Sequence, residues 1–89
     1  MRTIRLIIKG KVQGVYYRAS AKEAAIELGI TGWVKNLPDG DVEIMATAPE
    51  MALLQYIRWC SQGPPRAVVD EVITVETDFQ PFDGFRIIR

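Results

Sequence analysis

The chain has 89 residues, 48% of them hydrophobic, with 11 Lys and Arg balanced by 11 Asp and Glu. That fits one small folded domain spanning residues 1–89, and it excludes a disordered chain or a broad cationic surface for nucleic acid or an anionic membrane. The absence of histidine and the single cysteine, Cys60, exclude histidine phosphatases, serine–histidine triads, histidine metal clusters and an internal disulfide.

Ile4, Leu6 and Ile8 share one face of a first strand, with Arg5 and Lys9 among the alternate positions. A loop, Gly10-Lys11-Val12-Gln13-Gly14-Val15-Tyr16-Tyr17-Arg18, leads to a helix-like run starting near Ala19. Tyr17, Ala21, Ala24, Ala25 and Leu28 fall on one helical stripe, and Gly29 sits where a C-cap belongs. Ile30 to Leu37 reads as a second strand, Pro38-Asp39-Gly40 as a turn, and Asp41 to Thr47 as its hairpin partner. Pro49 fits the first turn of a second helix, with Glu50 at its positive end. Leu53, Leu54, Ile57 and Cys60 are its predicted buried stripe, and Gly63-Pro64-Pro65 stops it. Val68 to Thr77 is a long strand whose apolar residues change face, which predicts a bulge. Phe85 to Ile88 is a short last strand. The order β-α-β-β-α-β with right-handed crossovers predicts an α+β, ferredoxin-like sandwich. Two helices would cover one face of an antiparallel sheet, with a short additional C-terminal strand.

The first loop carries the functional signal. A strand, a glycine loop and a helix N-terminus form a layout that holds a phosphate on converging backbone N–H groups. No proline interrupts Gln13 to Arg18, so every N–H there is a donor. A cation in the first turn of a helix is electrostatically ill-placed unless an anion sits beside it, and Arg18 offers a planar fork matched to two phosphate oxygens. Gly14 either supplies a positive φ or lets backbone approach an anion closely. Asn36 is either a turn former or, with a carboxamide that donates and accepts, a residue that orients water.

Other constellations carry less. Cys60 and Arg66 have thiol-phosphatase spacing, but Pro64 and Pro65 remove two N–H donors and the cysteine lies at the wrong end of a helix. Trp33, Trp59, Tyr16 and Tyr17 do not reproduce a base-stacking strand face. Asp39, Asp41, Asp70 and Glu71 have no metal-ligand spacing.

The loop Gly10 to Arg18 closely resembles the first signature of acylphosphatases. Gly32-Trp33-Val34-Lys35-Asn36-Leu37-Pro38-Asp39-Gly40-Asp41-Val42-Glu43 resembles the second. Gly63-Pro64-Pro65, Val68 to Val72 and Phe85-Arg86-Ile87 are also similar to family features. The resemblance implies a small hydrolase that converts acyl phosphates to a carboxylate and inorganic phosphate, with neither metal nor other cofactor. It maps the phosphate-binding arginine onto Arg18, the water-positioning asparagine onto Asn36, and the amide cradle onto Gln13, Gly14, Val15, Tyr16, Tyr17 and Arg18. Leu37 stands where some relatives carry a hydroxyl residue, and Tyr16 and Tyr17 where glycine or phenylalanine is frequent.

No apolar run approaches the about 20 residues that span a bilayer, and no signal peptide is visible at Met1-Arg2-Thr3. The expectation is a cytoplasmic monomer with no nucleic-acid or membrane partner. The alternative is a non-catalytic module of the same fold that binds a phosphate-bearing ligand or another protein.

Overall fold

Strand β1 (Arg2–Lys11) leads through the glycine loop into helix α1 (Tyr17–Glu27). Strands β2 (Thr31–Asn36) and β3 (Val42–Ala48) form a hairpin, followed by helix α2 (Glu50–Gln62), β4 (Val68–Thr77) and β5 (Phe85–Ile88). This is a computed structural model, and it describes all 89 residues. The sheet order is β4-β1-β3-β2-β5. β1 pairs antiparallel with β3 and β4, and β2 antiparallel with β3. The fold is ferredoxin-like, with one addition to the expected antiparallel sheet: β5 pairs parallel to β2, so the sheet is mixed.

Burial explains the layers. Leu6, Ile8, Val34 and Ile44 are fully buried and form the helix-facing side of the sheet with Ala46. Ala21 and Ala25 bring α1 close to that side, and Leu53, Tyr56 and Cys60 bring α2. The predicted stripe on α2 is wrong at one position. Leu54 is 56% exposed, and Tyr56 is buried instead. Tyr56 can be buried because its hydroxyl donates to Ala21 O at 2.9 Å, which leaves no polar atom unsatisfied. Pro49 is the N-cap of α2 rather than a first-turn residue, and α1 starts at Tyr17, ahead of Ala19.

The predicted bulge is present. β4 pairs Glu71 with Lys9 and Val69 with Gly10, so Asp70 has no opposite residue. The extra residue lets Val69 and Val72 pack against the same core. Helix α1 ends on Gly29 at φ 72, with Ile30 N donating to Ala25 O and Gly29 N to Ile26 O.

A strap, residues 78–84, runs from the end of β4 to the start of β5 on the side away from the helices. Thr3 Oγ1 and Thr47 Oγ1 lie 2.7 Å apart. Thr47 Oγ1 donates to Gln80 O at 2.7 Å, and Thr3 Oγ1 accepts from Gln80 N at 2.9 Å. Gly32 N then donates to Gly84 O at 2.9 Å. The strap stays at the end of the sheet where β1 and β2 begin, so β5 must run alongside β2 in the same direction. Thr47→Val removes the hydroxyl that serves both Gln80 and Thr3. The expected cost is about 1–3 kcal/mol, or about 4–8 °C in Tm per kcal/mol. Thermal denaturation checks it, and a Tm within a degree of the original would show that this contact does not hold the strap.

Candidate functional site

A cleft of about 490 Å³ opens where β1, β2 and β5 end. Gln13, Gly14, Tyr16, Tyr17, Arg18 and Asn36 line it, so six of the residues singled out in the sequence meet there. Val15 does not line it; its side chain is 5% exposed and belongs to the core. Ile87 and Arg89 do line it, and sequence reasoning missed both. Their signal would have been the pairing of Val34 with Ile87, which only the parallel seating of β5 reveals.

The loop geometry follows from two anchors. Val15 and Tyr17 are both buried, at 5% and 1% exposure. Tyr16 between them turns outward, 75% exposed, with φ 63 and ψ 24. Gly14 is also left-handed at φ 73, and a Cβ on it would meet nothing within 4 Å. None of the N–H groups from Gln13 to Tyr16 donates to another backbone group. Helix α1 has no side-chain N-cap and no acidic residue in its first turn, whereas α2 has Glu50 there. The positive end of α1 therefore faces no negative charge from its own sequence.

Tyr17 fixes this helix end from below. Its hydroxyl donates to Cys60 O at 2.7 Å, which supplies a partner for one of the last carbonyls of α2. Its ring packs on Trp59 with centroids 5.5 Å apart. Arg18, next in sequence, is half-buried, makes no ion pair, and no side chain lining the cleft is acidic. The acids that do form ion pairs lie elsewhere: Glu76 and Glu50 with Arg2, Glu43 with Arg5, and Asp41 with Lys9.

Asn36 ends β2 opposite Val42. Its Oδ1 is buried without a hydrogen-bond partner, the one such side-chain atom in the protein. Gln13 approaches the turn that follows. Its Nε2 donates to Leu37 O and to Asp41 O, each at 2.8 Å.

The remaining candidates are structural. Cys60 is buried against Tyr17 and Tyr56 and is not part of the cleft, so the thiol-phosphatase spacing has no site behind it. Asp39 Oδ1 accepts from Asp41 N at 2.9 Å inside the turn. Lys9 donates to Asp41 at 2.7 Å, and this hydrogen bond raises the lysine pKa. Trp59 stacks on Tyr56, and Trp33 lies beneath the Lys35 ammonium.

The acylphosphatase family model matches residues 4–87. An acylphosphatase from Marinobacter nauticus is 56% identical over 82 residues, covering 91% of this chain and 89% of that protein. The crystal structure of acylphosphatase from Bacillus subtilis superposes with a TM-score of 0.97 at 34% identity, covering 100% of both chains. The acylphosphatase from Coxiella burnetii gives 0.95 at 39% identity, covering 98% of this chain and 92% of that one.

Burial around the Tyr17 anchor has a consequence in alkali. The Cys60 thiol is pushed up from 9.0 to about 12 by burial. The Tyr17 and Tyr56 hydroxyls are raised too, by burial first and then by the neighbouring Cys60. Above pH 9.0, the ordinary thiol value, the unfolded chain releases protons that the folded chain keeps, so stability falls as pH rises. The contribution is intact below that value. Each group that titrates fully costs about 1.4 kcal/mol per pH unit. Urea midpoints should therefore drop steadily between pH 9.0 and about 12, and a thiol reagent should label Cys60 only in denaturant. Rapid labelling of the native protein at neutral pH would contradict the buried placement.

Proposed function

Because the chain belongs to the acylphosphatase family and is an acylphosphatase, we propose a metal-independent route for its hydrolysis of acyl phosphates. In this reading Arg18 and the amides from Gln13 to Arg18 hold the phosphoryl oxygens, and Asn36 holds the attacking water. One observation carries it: the buried Oδ1 of Asn36 lacks a partner and belongs to a side chain lining the same cleft as the unpaired Arg18. A buried acceptor without a donor costs about 1–3 kcal/mol. In this reading the other end of the same carboxamide, whose Nδ2 donates to no protein group, faces the cleft and holds the water there.

The chemistry asks little more. The leaving group is a carboxylate whose acid has a pKa of about 4, so it departs at neutral pH without a proton. A general acid is unnecessary, and a site with no histidine suffices. Phosphoryl transfer needs positioning and charge stabilisation more than covalent help. Arg18, the unpartnered loop amides and the α1 N-terminus meet charge that shifts onto the phosphoryl oxygens. The water oxygen forms a bond to phosphorus as the bond to the acyl oxygen breaks, and that electron pair leaves on the carboxylate. The water's proton passes to a phosphoryl oxygen, giving inorganic phosphate.

The same reading takes residues 1–89 as one catalytic unit acting as a cytoplasmic monomer, without nucleic-acid or membrane partners. No helix is long and apolar enough to cross a membrane.

Arg18→Ala removes two charge-assisted hydrogen bonds, together about 3–6 kcal/mol. That corresponds to a fall of about two to four orders of magnitude in kcat/KM, with far-UV circular dichroism unchanged. Asn36→Ala should lower kcat more than it weakens inhibition by phosphate, and a chelator should leave turnover intact. Benzoyl phosphate hydrolysis measures all three. Near-normal turnover by Arg18→Ala would end the assignment, and phosphate binding without turnover by the unaltered chain would point to the non-catalytic module.

A further inference from the structure

The Gln13 side chain does something the backbone cradle does not require. Its carboxamide uses both hydrogens, one on Leu37 O and one on Asp41 O, each at 2.8 Å. Those carbonyls already accept from the turn itself: Gly40 N donates to Leu37 O at 3.2 Å and Leu37 N to Asp41 O at 2.8 Å. The turn is therefore closed from within, and Gln13 reaches it from outside.

No other hydrogen bond joins Gly10–Arg18 to Asn36–Asp41. The β1–β3 pairing stops at Ile8 and Val42, and the Lys9–Asp41 ion pair is the last contact before the strands part. Beyond that point the loop bearing Arg18 and the strand end bearing Asn36 still share the core through Val12, Val15, Val34 and Val42, but the only hydrogen bonds between them come from one carboxamide. Asn36 immediately precedes Leu37, so a shift of the Leu37 carbonyl moves Asn36 with it.

We propose that Gln13 is a positioning residue, whose side chain clamps the β2–β3 turn to the phosphate-side loop and so sets the register between the Asn36-held water and the phosphoryl group. This rests on the roles proposed above for Arg18 and Asn36. The expected magnitude follows from reaction geometry, where a misplacement of about 1 Å costs about a hundredfold in rate. Stability should change little, because neither carbonyl loses its backbone donor.

Gln13→Met keeps the length and the backbone N–H but removes both donors. Its kcat on benzoyl phosphate should fall about tenfold to a hundredfold, while the inhibition constant for phosphate stays within about twofold. In an Asn36→Ala background the same substitution should change kcat by less than about twofold, since residues acting through one another are not additive. Gln13→Glu gives a second readout. An ionised carboxylate facing two carbonyls should depress kcat further than Met does. Activity relative to the parent should recover as pH falls through about 4–5 and the carboxyl regains a donor. If Asn36→Ala alone left kcat unchanged, the water-holding role itself would fail. If Asn36→Ala lowered kcat and Gln13→Met still imposed its full loss on top, or weakened phosphate binding as much as kcat, only the clamp would be overturned.

Discussion

The cleft exists because three strands run the same way. β1 and β2 are both antiparallel to β3, so their C-terminal ends open at one end of the sheet. β5 is parallel to β2 and ends there too. The chain leaving β1 forms the loop that carries Arg18, the chain leaving β2 carries Asn36, and β5 adds Ile87 and Arg89. The helix following β1 starts at this same end, so its unpaired N–H groups and positive dipole face the cleft rather than the far side of the molecule. Side chains 18 positions apart in sequence thus meet through strand direction alone. The strap across Thr3 and Thr47 is part of the same constraint, since it delivers β5 to the β2 edge in the parallel sense.

Charge is distributed to suit that arrangement. Formal net charge is zero, so the molecule as a whole has no long-range pull on an anion. The attraction is local. Arg2, Arg5, Lys9 and Lys35 are each paired with a carboxylate. Most other cations form no ion pair, Arg18 and Arg89 of the cleft among them, and the cleft side chains include no acid. A positive group left unpaired next to a helix N-terminus is costly for folding alone, because like charges repel there. In the proposed reading a phosphoryl group bound between them would offset that cost, the situation in which preorganised donors act most strongly.

Local chemistry was legible in the sequence, and pairing at a distance was not. The strands announced themselves by alternation, the helix ends by Gly29 and Pro49, and the bulge by the change of face between Val69 and Val72. Arg18 stands out because a cation is ill-placed in the first turn of a helix, whereas Gly14 and Asn36 are ordinary loop and turn residues that only the two motifs single out. Tyr56 lies outside the predicted stripe, because nothing in the sequence shows that its hydroxyl has a partner in the carbonyl of Ala21. Leu54 was misread because adjacent leucines look alike in a stripe, and only the packing of α2 on the sheet chooses between them. Ile87 and Arg89 were invisible for the same reason: nothing within β5 says which edge it will join. Gln13 was read for its N–H, and its side chain was overlooked. A glutamine advertises no partner when that partner is a main-chain carbonyl 24 or 28 residues away.

Tyr16 shows how the core imposes shape on the site. A non-glycine residue in the left-handed region costs about 1–2 kcal/mol, and here it carries a large, exposed ring. Nothing in its own contacts repays this. The explanation lies with its neighbours. Val15 must turn inward to fill the core, and Tyr17 must turn inward to reach Cys60 O with its hydroxyl. Two buried side chains flank Tyr16 at the point where the chain turns from β1 into helix α1, and there it takes the left-handed conformation. The strain therefore sits next to Arg18 as a by-product of anchoring that residue from below. It holds only while both anchors are seated, so the loop keeps its curl for as long as the core beneath it is intact. The shape of this loop is thus tied to the packing of Val15 and Tyr17 beneath it.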